Sequence, residues 1–555
     1  MKRIALIALM TTVISVNSFS QSSNIQKATK SVFSLTTFKA DGSILTTSHG
    51  VFVSNDGEAI APWKPFEGAD SAIVITADGK ALNVDVIIGV NSIYDVCKFK
   101  AEGKTPSASI AANKLNANSK AWLTEYSSGK TNIKQTTIKG AETFMEKFSY
   151  YILSNDASEE TGGCPLLNDR GEVVALIEQA VSGGIGHAID ASFINNLSAN
   201  AKMTVMDPNI KKTTIRTQLP PDEQDALVTL LLAAEASTPR NYDKYINDFI
   251  RMFPNSVDGY AARARKQLAN NNISGAEATM GEAISKASDK ANAHFEYSKI
   301  IYDRVIYNTD STFTTWTLDK ALAEAREAYN IKQDPSYKHQ EARIIYSQGN
   351  YKEALDIFTS LTTTPIRNSE IFYEAAQCKQ MLNAPKEEIV QLLDSAVAAC
   401  PQPLTNISAP YFVARGDALI EAGKLRPALA DYNKYDTLMM GNASPEFYYK
   451  RHKLEISLKQ YQQALNDIAH TILLSPREPF YIAEMAALYL RVNQIERAIK
   501  SCDLCLSVDD KYADAYIIKG LALIQNKNKE EGLKNLEKAQ KLGDERAAGL
   551  IEKYK

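Results

Sequence analysis

The sequence predicts a multidomain chain: an N-terminal all-β domain followed by a C-terminal all-α solenoid of repeated helix pairs. Two observations carry this. Between residues 25 and 200, short runs rich in β-branched and aromatic residues alternate with turn signals. From residue 222 to the end the apolar period becomes helical, and one motif returns about every 34 residues. At 555 residues the chain is too long for a single core. A hydrophobic share of 45% and a charged share of 23% are ordinary for a soluble globular protein. The net charge of −3 offers no basic surface for nucleic acid, and there is no acidic tail of the kind that stays disordered.

The first twenty residues read as a cleavable export signal. Met1-Lys2-Arg3 is a basic start, Ile4 to Ser15 is an apolar core, and Ser18 and Ser20 are small residues before Gln21. The expected cut lies near Ser20, and the mature protein is expected in the periplasm or outside the cell. The apolar core is too short to span a bilayer, and no later stretch approaches ~20 apolar residues.

The β region contains runs such as Ser31-Val-Phe-Ser-Leu, Gly50-Val-Phe-Val-Ser, Ser71-Ala-Ile-Val-Ile-Thr and Val173-Val-Ala-Leu-Ile. Asp-Gly and Asn-Asp-Gly turns separate them, which predicts a barrel or sandwich. Near its end stands Thr161-Gly162-Gly163-Cys164-Pro165-Leu166-Leu167. This loop resembles the active-site loop of trypsin-like serine proteases, in which Gly-x-Ser-Gly-Gly-Pro-Leu-Leu is usual. Other landmarks resemble the HtrA-type branch and come in that family's order. They are Ser48-His-Gly-Val-Phe-Val-Ser, Glu67-Gly68-Ala69-Asp70, Tyr94-Asp95-Val-Cys-Lys-Phe-Lys100 and Gly184-Ile-Gly-His-Ala-Ile-Asp190. The resemblance implies a trypsin-like double β-barrel over residues 25–200. It places the catalytic serine position on Gly162, the histidine on Lys64 and the aspartate on Asp95.

Peptide cleavage by that mechanism needs a hydroxyl to attack, an imidazole to relay its proton and a carboxylate to orient the imidazole. Gly162 has no side chain, and a lysine at position 64 ordinarily holds its proton at neutral pH. The family's oxyanion-loop glycine falls on Glu160, where a carboxylate opposes the developing negative charge. No catalytic residue is therefore expected, and no cofactor or metal. A one-residue shift of the loop leaves one alternative: a peptidase in which the Thr161 hydroxyl is activated by Lys64 beside Asp95. His49 and His187 read as strand or turn residues. Cys97 and Cys164 are candidates for a disulfide or for buried thiols, and Cys502-x-x-Cys505 reads as core on a helix.

Residues 201–221 have no periodicity and carry Pro220-Pro221, which reads as a linker ending at a helix N-terminus. In the helical region, motifs such as Gly349-Asn-Tyr351-Lys-Glu-Ala354 and Gln460-Tyr461-Gln-Gln-Ala464 centre on Ala276, Ala321, Ala354, Ile389, Ala428, Ala464, Ala498 and Gly532. Successive spacings are 45, 33, 35, 39, 36, 34 and 34. Small residues stand twelve before the centre at Ala264, Ala342, Gly416, Ala486 and Gly520, and aromatics sixteen before at Tyr260, Tyr373, Phe412, Tyr448 and Tyr516. The period resembles that of tetratricopeptide (TPR) repeats. The resemblance implies a TPR array over residues 222–555, closed by a C-terminal capping helix, whose concave face takes a peptide or protein partner. The wide first spacing implies an insertion near Asn308 to Thr317. Lys450-Arg451-His452-Lys453 reads as a basic cluster on a first helix, either a solvated face or a carboxylate clamp. The expected function is an exported interaction scaffold carrying an inactive protease-like domain.

Overall fold

The computed structural model describes residues 23–127, 130–144, 147–156, 161–178, 184–199, 208–235, 241–307 and 315–555. The expected export signal, Glu160 and most of the expected insertion lie outside them. The chain divides into two compact units, residues 1–288 and 289–555.

The first unit contains the expected double barrel. One barrel is built from β1 (Val32–Phe38), β2 (Ile44–Phe52), β3 (Glu58–Ala61), β4 (Ser71–Thr76), β5 (Ala81–Asn91) and β6 (Val96–Ala101). The other is built from β7 (Lys120–Ser127), β8 (Lys130–Phe144), β9 (Phe148–Asp156), β10 (Pro165–Leu167), β11 (Val173–Ile177) and β12 (Ile185–Asp190). The first closes in the order β1-β2-β3-β6-β5-β4, with β4 back against β1. The second repeats that order on its own six strands, with β7 against β10. Closure leaves no sheet edge unpaired, which is how such sheets avoid aggregation.

Inward positions follow the period of two that a pleated strand imposes. On β4, Ala72 and Val74 point into the barrel between more exposed neighbours. The first barrel fills with aromatics: Phe33 packs on Phe52 at 4.5 Å, and Phe66 packs on Phe99 at 5.3 Å. Val51, Ile60, Leu167, Val173 and Leu176 form a separate apolar cluster drawing on strands of both barrels. The segment expected as a linker also contributes: Ile210 and Ile215 are buried in the first barrel's core. Helices Glu223–Glu235 and Tyr242–Met252 follow, then Val257–Ala269 and Ile273–Lys286.

The second unit runs in helix pairs from Lys290–Ile306 to the final helix Arg546–Tyr554. Paired helices cross closely because one partner presents a small residue at the crossing. A Cβ at Gly416 would stand 2.6 Å from the Tyr432 ring, and one at Gly532 would stand 2.5 Å from Ile524. Ala321, Ala354, Ala428, Ala464 and Ala498, the centres read from the sequence, are fully buried. His452 occupies the position where most pairs have Ala or Gly. It is buried, with its ring Nδ1 2.8 Å from the Ala464 carbonyl. Arg451 beside it is buried too and grips Asp467 with two hydrogen bonds. The basic cluster therefore splits: two members are core, while Lys450 pairs with Asp417 and Lys453 lies over the Tyr449 ring. Cys502 and Cys505 are fully buried in the helix Ile495–Val508.

Six turns within helix pairs of the second unit each hold one residue in the left-handed region. They are Gly349, Asn383, Gly423, Lys459, Asn493 and Lys527, all with positive φ. Glycine and asparagine reach that region cheaply, whereas other residues lose about 1–2 kcal/mol there. Lys459→Gly and Lys527→Gly are each expected to stabilise the chain by about 0.5–1 kcal/mol. Urea unfolding monitored by circular dichroism measures this, and a loss of stability in both variants would contradict the assignment of strain.

Candidate functional site

The residues singled out in the β domain fall in two groups on the first unit: Lys64 and Asp95, from two loops joined by a hydrogen bond, and Thr161 to Gly163, on another loop. Lys64 opens the short 3₁₀ turn Lys64–Phe66, which Pro65 stiffens by fixing its own φ. Asp95 sits in the turn before β6 with φ of 51°. Its carboxylate accepts the Lys64 backbone N–H at 2.7 Å, and its carbonyl oxygen accepts the Trp63 N–H at 3.2 Å. Asp95 and the backbone of Lys64 are thus locked together, while the Lys64 side chain is exposed. Among the described residues the Lys64 ammonium forms no ion pair within 4 Å. Burial raises the Asp95 carboxyl above its ordinary range. The Lys64 N–H, the Lys64 charge and the Trp63 N–H work against that shift, and the Glu178 carboxylate adds to it.

The loop of Thr161 to Gly163 is pinned to β11. Gly163 donates its N–H to the Ile177 carbonyl at 2.8 Å, and Ile177 returns a hydrogen bond to the Cys164 carbonyl at 2.9 Å. Gly163 has φ of 81°, and a Cβ there would stand 2.2 Å from the His49 carbonyl oxygen, so only glycine fits. The Gly162 carbonyl faces the His49 ring at 3.2 Å, with the Ser48 hydroxyl at the edge of contact. Thr161 is buried at 1% exposure, and among the described residues no hydrogen bond links it to the Lys64 ammonium. Glu160 lies outside the described residues.

Two residues that the sequence did not single out border this site. Glu178 follows the wholly buried run Val173–Ile177 and accepts a 2.5 Å hydrogen bond from the Tyr150 hydroxyl. The His187 ring stacks on Tyr150 at 5.2 Å, and its carbonyl accepts the Glu178 N–H at 2.9 Å. The Glu178 carboxylate adds a small push of Asp95 away from ionisation, against the larger opposing charge of Lys64. The only sequence signal for Glu178 is a charge directly after an unbroken apolar run.

The cysteines offer no reactive thiol. All six are free and buried. Cys164 packs between Val32 and Tyr126, and burial pushes its thiol up to about 12. Cys97 lies in the first barrel's core and is pushed well up for the same reason. Among the described residues no group of three His, Cys, Asp or Glu side chains is placed to hold a metal ion. Among the described residues no helix is long and apolar enough to cross a membrane.

The duplicated closed barrels define the N-terminal domain as a trypsin-like fold, and the region after it is all-α and repeat-like. No protein-family model matches the chain. Among solved structures, it is similar to an HtrA-type protease, AlgW, with a tripeptide, at 16% identity and a TM-score of 0.29, over 32% of this chain and 62% of that one. A serine-to-alanine variant of AlgW with a tripeptide matches at 17% identity over the same shares with the same TM-score. The chain therefore spans less than two thirds of those structures.

A thiolate is the reactive form of cysteine, so burial and raised pKa predict inert thiols. Ellman's reagent at pH 8 is expected to label fewer than about one thiol per native chain, and all the cysteines once guanidinium unfolds it. Rapid labelling of Cys164 in the native protein would contradict its placement.

Proposed function

We propose that this protein is an exported protein–protein interaction scaffold, made of a catalytically inactive trypsin-like domain and a TPR array that binds a peptide or protein partner. The observation that carries the reading is the hydrogen bond from the Lys64 N–H to Asp95. It supports the register in which Lys64 stands where the base belongs; Gly162 at the nucleophile position rests on the resemblance of the loop sequence. An ammonium cannot accept the proton of an attacking hydroxyl, and Gly162 has no hydroxyl to give. In subtilisin, a protease of the same mechanism, removing the nucleophile or the base costs on the order of 10⁶ in rate.

The helical region supports the binding half. Its small residues, aromatics and left-handed turns recur at fixed positions of a period near 34 residues, as in TPR arrays. Such arrays bury a continuous core between neighbours and leave an extended inner wall for a partner. The first helices of neighbouring pairs touch, as Pro479–Arg491 and Ala513–Gln525 do, which supports an inner layer of first helices. No cofactor enters this reading, and a periplasmic or secreted location follows from the N-terminal signal.

A pull-down from envelope extract tests the binding half. The full chain is expected to retain a specific partner, and truncation after residue 288, which removes the whole second unit, is expected to lose it. Retention of the same partner by the truncated chain would assign binding to the first unit instead.

A further inference from the structure

Residues 210–218 join two parts of the first unit by a dense set of bonds. At one end they hold the loop that follows Lys64. The Gly68 N–H donates to the Lys212 carbonyl at 2.7 Å, and the Lys212 ammonium pairs with Glu67 at 2.7 Å. Glu67 also accepts the Trp63 indole N–H, and its own backbone N–H donates to the Lys64 carbonyl. The Thr213 hydroxyl and the Thr214 N–H both donate to the Ala69 carbonyl, at 2.8 and 3.1 Å. Ile210 and Ile215 anchor this end in the barrel core.

The other end is tied to the sheet and to a helix at once. Ile87 on β5 donates to the Arg216 carbonyl at 2.9 Å and accepts from the Gln218 N–H at 2.8 Å, a parallel bridge added to the barrel. The Arg216 side chain is only 5% exposed. It meets Asp85 of β5 at 2.6 Å and Asp248 of the helix Tyr242–Met252 at 2.6 Å. From the same helix, the Tyr245 hydroxyl accepts the Thr217 N–H at 2.8 Å, and Lys244 reaches Asp85 at 3.1 Å. Arg251 adds a second cation to Asp248 at 2.6 Å. A buried guanidinium shared between two carboxylates holds its geometry tightly, because either carboxylate left alone would carry an uncompensated charge.

We propose that residues 210–218 form a strap coupling the first helical hairpin to the Lys64–Asp95 site, so that displacement of the helix Tyr242–Met252 loosens the Lys64 loop. The route is continuous: Asp248 to Arg216, along the strap to Lys212 and Thr213, then to Glu67, Gly68 and Ala69. The two states are the strapped one described above and one in which Arg216 has left Asp248. The coupling does not depend on whether the barrel cleaves peptides, so its failure would leave the scaffold reading untouched.

Hydrogen–deuterium exchange on the full chain tests the strap. Arg216→Gln removes the guanidinium while Lys244 still neutralises Asp85, and Asp248→Asn cuts the junction from the helix side. Both variants are expected to speed exchange at least tenfold in peptides covering residues 66–70 and 85–88. Peptides from β7 and β9 in the second barrel are expected to keep wild-type rates. Acceleration confined to residues 241–252 would overturn the proposal, because the strap would then carry nothing to the site. Uniform acceleration across both barrels would overturn it too, because Arg216 would then be a general staple of the fold.

Discussion

Both halves of the molecule depend on backbone approaches too close for a side chain. In the barrel domain the loop at Gly163 presses against the His49 carbonyl, with room for no Cβ. In the array the same constraint recurs at Gly416 against Tyr432, and at Gly520 and Gly532 against each other's helices. Protein interiors are packed to crystal density, so a single added carbon at such a contact forces the backbone apart. In the barrel domain this approach seats one loop against β2. In the array they set how closely each helix pair crosses, and so how the next pair can stack.

The candidate site is held mainly by its backbone. The loop containing Gly162 is still held by Ile177, and Asp95 still receives the backbone of residue 64. The side chains gathered there are a lysine and the Glu178 carboxylate with its Tyr150 partner, beside a glycine that has none. Burial and Glu178 both disfavour the ionised form of Asp95.

Much of this was legible in the sequence, for reasons that are local. Strand runs and Asp-Gly turns announce barrels because the pleat has a period of two. The helical repeats announce themselves because most pairs carry a small residue and a left-handed turn at fixed places. Lys64 and Asp95 could be paired because Glu67-Gly68-Ala69-Asp70 supplies a count. What the sequence hid is long-range. Glu178 meets Tyr150 across 28 positions, and Arg216 meets Asp85 across 131. A stretch with two prolines and no periodicity reads as a linker, although Ile210 and Ile215 sit in the barrel core. His452 stands where its neighbours have Ala or Gly, and only the carbonyl of Ala464 explains how a ring is accommodated there.

We propose that the barrel domain does not cleave peptides. Hydrolysis of fluorescently labelled casein by the purified full-length protein, beside its Lys64→Ala variant, tests it most directly. The account predicts no cleavage above the buffer rate for either protein. Cleavage by the wild type that disappears in Lys64→Ala would contradict the account and restore a peptidase built on Thr161, Lys64 and Asp95.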